Sequence, residues 1–182
     1  MSADYLISSL PDLTFDGEAP ITMEYFLSNV HSQLSRCDAQ GVEDVINGNP
    51  SSHPIAVKWS DIDTQIRNAI AAQRAKQMEK DPSKWLRPAE GCSLYWKDRI
   101  VSAFNEKDPA SRQRQIDLAR FEAAGELTPV TSPLSTAAVF TYAIRLEITL
   151  RRSSMNIDQG NNVFDKLTAA SSPESLFKEE EQ

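Results

Sequence analysis

Apolar residues recur along most of this chain at intervals of three and four, the spacing of one helix face. Met23, Phe26 or Leu27, Val30 and Leu34 form such a stripe and predict a helix over about 22–35. Thr22 stands where its hydroxyl can accept from the free N–H groups of the first turn. Val42, Val45 and Ile46 predict a short helix over 38–46, closed by the loop sequence NGNPSSHP. Ile62, Ile66, Ala69 and Ile70 share one face of the longest helix, over about 60–80, with Trp59 just before it. Ser60 and Asp63 have the spacing of a capping box at its start. Asp63 precedes Arg67 by four residues, the favourable order for a pair worth a few tenths of a kcal/mol. Arg74, Lys76 and Lys80 gather toward the end, where the helix dipole favours cations.

An N-cap residue followed by proline then recurs, with Asp81 before Pro82, Asp108 before Pro109, Ser132 before Pro133 and Ser172 before Pro173. Proline suits a first helical position because its missing N–H would find no partner there. Each site predicts a helix start. The helix after Pro109 extends to Ala124, with Gly125 as the residue beyond its end. The helix after Pro133 carries only Arg145 and Glu147 as charges over 134–150, so it is read as the central, buried one. A last helix over 159–169 offers Val163, Phe164 and Leu167. No convincing stretch alternates apolar and polar residues. HPIAVKW is the best strand candidate, and DYLISSLPDL reads as a helix. The pattern therefore predicts an all-α single domain over 1–170 and an acidic tail over 171–182.

Charge narrows the range of partners. The chain of 182 residues has a formal net charge of -7, and all of it lies in the first 56 residues, which hold eight acids and Arg36. Duplex binding needs an excess of Lys and Arg, so nucleic acid is not an expected partner. Cys37 and Cys92 form no CxxC pair, and two thiols suit a reducing cytoplasm. The apolar run AAVFTYAI is far short of the roughly 20 residues that span a bilayer, so membrane insertion is not expected.

Catalytic signatures are absent: there is no P-loop, GxGxxG, HExxH, GxSxG or EF-hand loop. SLFK, residues 175–178, matches SxxK formally but runs into the tail. His31 and His53 have no acid or cysteine at metal-ligand spacing. His31, beside an apolar stripe, reads as a partly buried, hydrogen-bonded side chain. The sequence thus assigns no catalytic, cofactor-binding or metal-binding residue. Trp85, Tyr95 and Trp96 flank the RPAEGCS loop and read as closing a core where the loop crosses it. Arg145, Arg151 and Arg152 project from the buried helix and its exit. They can pair with the acidic N-terminal third or with acids on a partner. Arg67 and Arg74 lie on a different helix face from the Ile62–Ile66–Ile70 seam. Arg67, Arg74, Arg151 and Arg152 are therefore the candidate partner-binding residues.

Four stretches, taken in order, carry a resemblance. They are YLISSLPDLTFDGEAPITMEYFL, IRNAIAAQRAKQ with DPSKWLRP, DPASRQRQIDLARFEAAGEL, and VFTYAIRLEITLRR. Together they resemble a bacterial domain-of-unknown-function family typically encoded beside subunits of V-type (A/V-type) ATPases. The last helices look like a divergent version of the C-type, or d, subunit of those motors. The resemblance implies a bundle of about six to eight helices, similar to a fragment of that subunit. It implies a non-catalytic accessory or central-stalk adaptor, with rotor shaft or membrane ring as partner and proton or sodium transport as the machine's work. The location it implies is cytoplasmic, held at the inner membrane through the ATPase. An alternative expectation is a soluble enzyme with an unrecognised acidic site. A second is a helical nucleic-acid module with a basic stripe along Arg67, Arg74, Lys76 and Lys80.

Overall fold

The computed structural model describes residues 3–155 together with Val163, Asp165 and Thr168. The helix expected over 159–169, the start at Pro173 and the acidic tail lie essentially outside the described residues. Within them the chain is all-helical, with seven α-helices, two 3₁₀ turns and no strand. The helices are α1 (Ala3–Ser9), α2 (Met23–Gln33), α3 (Arg36–Asn47), α4 (Pro54–Gln77), α5 (Leu94–Ala103), α6 (Pro109–Ala124) and α7 (Thr136–Ser154). The 3₁₀ turns are Pro82–Trp85, between α4 and α5, and Gly125–Leu127, between α6 and α7.

The axis of the bundle is α7, as its low charge predicts. Val139, Phe140, Ala143, Leu146 and Ile148 are fully buried in it. It packs against α1, α2, α3, α4 and α6, while α5 packs against α4 and α6. Phe26 and Val30 from α2, Val42 from α3, Ile66 from α4, Ile100 from α5 and Ala123 from α6 complete one contiguous core. The two threonines buried in it have hydrogen-bond partners. Thr141 donates to Ala124 O at 2.9 Å and bonds to the Thr128 hydroxyl at 2.8 Å. Thr149 donates to Arg145 O at 2.9 Å.

Helix starts follow the expected chemistry at several points. Thr22 accepts from Tyr25 N–H at 3.2 Å, and Asp108 accepts from Ser111 N–H at 2.8 Å with Pro109 opening α6. Asp81 accepts from Ser83 N–H at 3.1 Å, but the turn it caps stays 3₁₀ and short. Three expectations are corrected. The long helix begins at Pro54, not near Ser60: His53 is its cap, its ring accepting from Ile55 N–H at 3.3 Å. HPIAVKW is therefore the first turns of α4, and the proline that argued for a loop is the residue that starts the helix. The start expected at Pro133 is displaced, since α7 opens at Thr136 with Ser135 at the cap position. Gly125 is right-handed, with φ of -61°, and carries the chain into a 3₁₀ turn. Helix α5 has no counterpart in the sequence reading, where Tyr95 and Trp96 were placed beside a loop.

Candidate functional site

The polar residues between the isoleucines of α4 organise the surface next to it. Asp61, Gln65 and Asn68 form a stripe at helical spacing. Asp61 accepts from Glu90 N–H at 3.0 Å. Gln65 donates to Glu90 O at 2.6 Å and accepts from Ser93 N–H at 2.9 Å. Asn68 donates to Arg87 O at 2.7 Å and accepts from Arg87 N–H at 2.9 Å. These bonds lace the loop after the Pro82–Trp85 turn along the helix. They fix Trp85 beside the C-terminal half of α4.

Between that turn, α4 and α6 lies a groove of about 520 Å³. Its apolar lining includes Ile70, Ala71, Ile116, Met78 and Trp85. Met78 is 53% exposed and Trp85 46%, so both present apolar surface to the opening. Four arginines line it, Arg67, Arg74, Arg120 and Arg151, against a single carboxylate, Asp117. Asp117 is buried and already accepts from Gln113 at 3.0 Å and Arg151 at 2.6 Å.

The arginines are held from behind. Asp63, a buried residue, takes Arg67 Nε at 2.5 Å on one oxygen and Arg120 Nε at 2.8 Å on the other. The pair of Asp63 and Arg67 expected from spacing is thus half of a three-residue network. Both arginines bind Asp63 through Nε, so their terminal amino groups remain without a hydrogen bond to a described residue. Arg151 reaches Asp117 and, at 3.7 Å, Glu147. Its Nε is enclosed with no acceptor among the described residues. Arg74 is exposed, and its side chain makes no hydrogen bond or ion pair with any described residue.

Three of the four candidate partner-binding arginines, Arg67, Arg74 and Arg151, therefore meet in one groove. The fourth does not join them. Arg152 lies 3.8 Å from the centroid of the Phe15 ring, donates to Phe15 O and pairs with Asp16 at 3.3 Å. Arg114 pairs with the same carboxylate at 2.8 Å. Those contacts hold Asp16 more acidic than usual, first through the Arg114 hydrogen bond. Arg152 thus binds the acidic N-terminal third of its own chain. Arg145 is also turned inward, donating to Phe121 O at 3.1 Å and lying over the Phe121 ring. Its burial pulls its pKa down from the usual guanidinium range.

Of the three aromatics expected to close a core, only Trp96 does so. It is buried, and its indole N–H donates to Glu126 at 2.9 Å. Tyr95 and Trp85 remain exposed. His31 is likewise more exposed than expected, though it does bond to Glu43, at 2.8 Å. His53 bonds to Asp38 at 3.1 Å as well as capping α4. No group of three or more His, Cys, Asp or Glu side chains stands at metal-holding distance among the described residues. No helix among them is long and apolar enough to cross a membrane.

Arg67, Arg120 and Arg151 also line a second, polar groove of about 620 Å³ on their other side, with Asp44, Asp61, Asp63 and Glu147. Asp44 there accepts from Gln40 at 3.1 Å, and Asp61 and Asp63 are bound as described above.

Fold and site together define an all-α bundle with a cation-rimmed, part-apolar groove on its surface. No known family, characterised protein or solved structure matches the chain closely enough to show kinship. Sequence reasoning missed Arg120, Trp85 and Met78 as groove residues. The Asp61–Gln65–Asn68 stripe was a visible signal that something polar lies along α4. The approach of Arg120 to Asp63 spans 57 residues and leaves no local trace.

Proposed function

We propose that this chain is a non-catalytic helical adaptor whose assembly is a bacterial V-type ATPase, where it is an accessory or central-stalk subunit of the C/d kind. One observation carries the adaptor reading. Guanidinium groups with unused donors and an exposed tryptophan face the same opening, and aromatic and arginine side chains are the ones protein interfaces favour. The assignment to the ATPase rests on the four sequence stretches quoted above. One of them, VFTYAIRLEITLRR, is the greater part of α7. The partners in this reading are the rotor shaft or membrane ring, and the chain is held at the inner membrane through them.

Purification of the ATPase from the native source, through a tag on a catalytic subunit, tests the assignment. The chain is expected to co-purify in fixed ratio to the rotor subunits. Intact ATPase recovered without it overturns the stable-subunit reading.

A second reading, an enzyme with an acidic site, is favoured by one feature, the carboxylates gathered in the polar groove. Their engagement weighs against it. Asp63 is occupied by two arginines and Asp61 by a backbone N–H, which leaves neither carboxylate free of a donor for acid–base work.

A further inference from the structure

We infer that the groove between α4, α6 and the Pro82–Trp85 turn docks an acidic segment of another protein, one that inserts an apolar side chain between carboxylates. The inference rests on the adaptor reading and gives that adaptor a surface and its partner a chemistry.

Charge is the first ground. The whole chain carries -7, yet this groove is lined by four arginines and one carboxylate. A local reversal of sign on an acidic protein selects for anions and steers them in. Asp63 behind the wall offsets one of the four arginines, and Asp117 another. Arg74 is unpaired among the described residues, and the terminal groups of Arg67 and Arg120 have donors to spare. Planar guanidinium forks match carboxylates in bidentate geometry.

The apolar lining is the second ground. Ile70, Ala71 and Ile116 sit between the charged rim and the Trp85 indole. A small anion has no use for that surface. A peptide side chain does, because burying an apolar group there removes both it and the exposed Trp85 and Met78 from water. Single-stranded nucleic acid would use Trp85 for stacking, but it requires a charged track longer than this groove provides and must approach an acidic molecule.

The test is fluorescence anisotropy on the full chain. The probe is a synthetic labelled peptide with a Leu-Phe pair between glutamates; its control has lysine for each glutamate. The acidic peptide is expected to saturate and the lysine peptide to bind at least about tenfold more weakly. Trp85→Ala and Arg74→Glu alter exposed side chains, so circular dichroism is expected to show both folded. Each is expected to weaken the acidic peptide by about tenfold, while Val130→Ser, at an exposed position outside the groove, changes nothing. Equal binding of both peptides, or indifference to both groove variants, overturns the inference. So does single-stranded RNA that binds with the same variant sensitivity, which would make the groove a nucleic-acid site. Peptide binding that emerges only when residues 171–182 are removed also overturns it, because the chain's own acidic tail would then be the occupant. The assay needs no ATPase. Failed co-purification with a working groove would therefore refute the assembly and spare the surface, and the converse result would do the reverse.

Discussion

The imidazole of His53 stacks on the ring of Phe140, with centroids 4.8 Å apart and planes 20° from parallel. The residue that caps α4 is thereby packed on the central helix, and α3 has to leave room for both rings. Gly41 provides it. A Cβ there would stand 2.8 Å from His53 Cγ and 3.0 Å from Phe140 Cζ, and neither ring is a flexible chain end. Gly41→Ala is expected to destabilise the fold by about 1–3 kcal/mol through overpacking, although alanine is the better helix former. Urea denaturation checks this, and an unchanged midpoint would contradict it.

Asp63 holds two arginines from a buried position. Asp63→Ala leaves Arg120, whose side chain is 15% exposed, without a counter-charge. The expected loss is about 3 kcal/mol. Arg67→Ala should cost within about 0.5 kcal/mol, because that side chain is 61% exposed and its share of the pair is largely screened. Thermal melts of the two variants separate the cases, and similar losses from both would contradict this assignment.

Glu79 takes a left-handed backbone, φ of 54°, just past the end of α4. The turn lets Lys80 N–H reach back to Ala75 O at 2.9 Å. Glycine is the usual residue for such a stop. Glu79→Gly removes a left-handed cost of about 1 kcal/mol and adds about 0.5 kcal/mol of unfolded-chain freedom. A net stabilisation of about 0.5 kcal/mol is expected, read as a higher melting temperature.

Three carboxylates are more acidic in the folded chain than their usual value of 3.8. Asp16 is lowered first by the Arg114 hydrogen bond, and Asp81 and Asp108 by their bonds from Ser83 and Ser111. The unfolded chain therefore binds more protons at low pH. The stability these groups add is present above their unfolded value near 3.8 and is lost as pH falls through the lower folded values. Melting temperatures measured from about pH 5 downward should fall with acid. The triple variant Asp16→Asn, Asp81→Asn, Asp108→Asn keeps a capping side chain at 81 and 108 and should show a shallower fall. Identical acid slopes would contradict the assignment.

The fold was legible where one helix carries its own evidence. The low charge of α7, the stripe of α2 and the cap at Asp108 are local facts about local structure. The start of α4 was misplaced because Pro54 fits both a loop and a first turn, and only the packing of His53 on Phe140 selects the second. Helix α5 was missed because its buried residues, Trp96, Ile100 and Ala103, form too short a stripe for its period to stand out. At the groove, the arginines of α4 could be picked from their exposure on a helix face. Whether Arg152 turned inward or outward depended on where Phe15 and Asp16 came to rest, more than a hundred residues away in sequence.

The paired bonds between Asn68 and Arg87 have a kinetic consequence. Because the loop carrying the Trp85 wall is already fastened to the helix, a partner need not wait for that wall to assemble. Little ordering entropy remains to oppose the encounter on this side. Association should then be governed by diffusion and by the attraction of the arginine rim, with a rate that falls as salt is added. Asn68→Ala would loosen the Trp85 end of the loop, which Asp61 and Gln65 hold only at Glu90 and Ser93, and the same partner would arrive more slowly at every ionic strength.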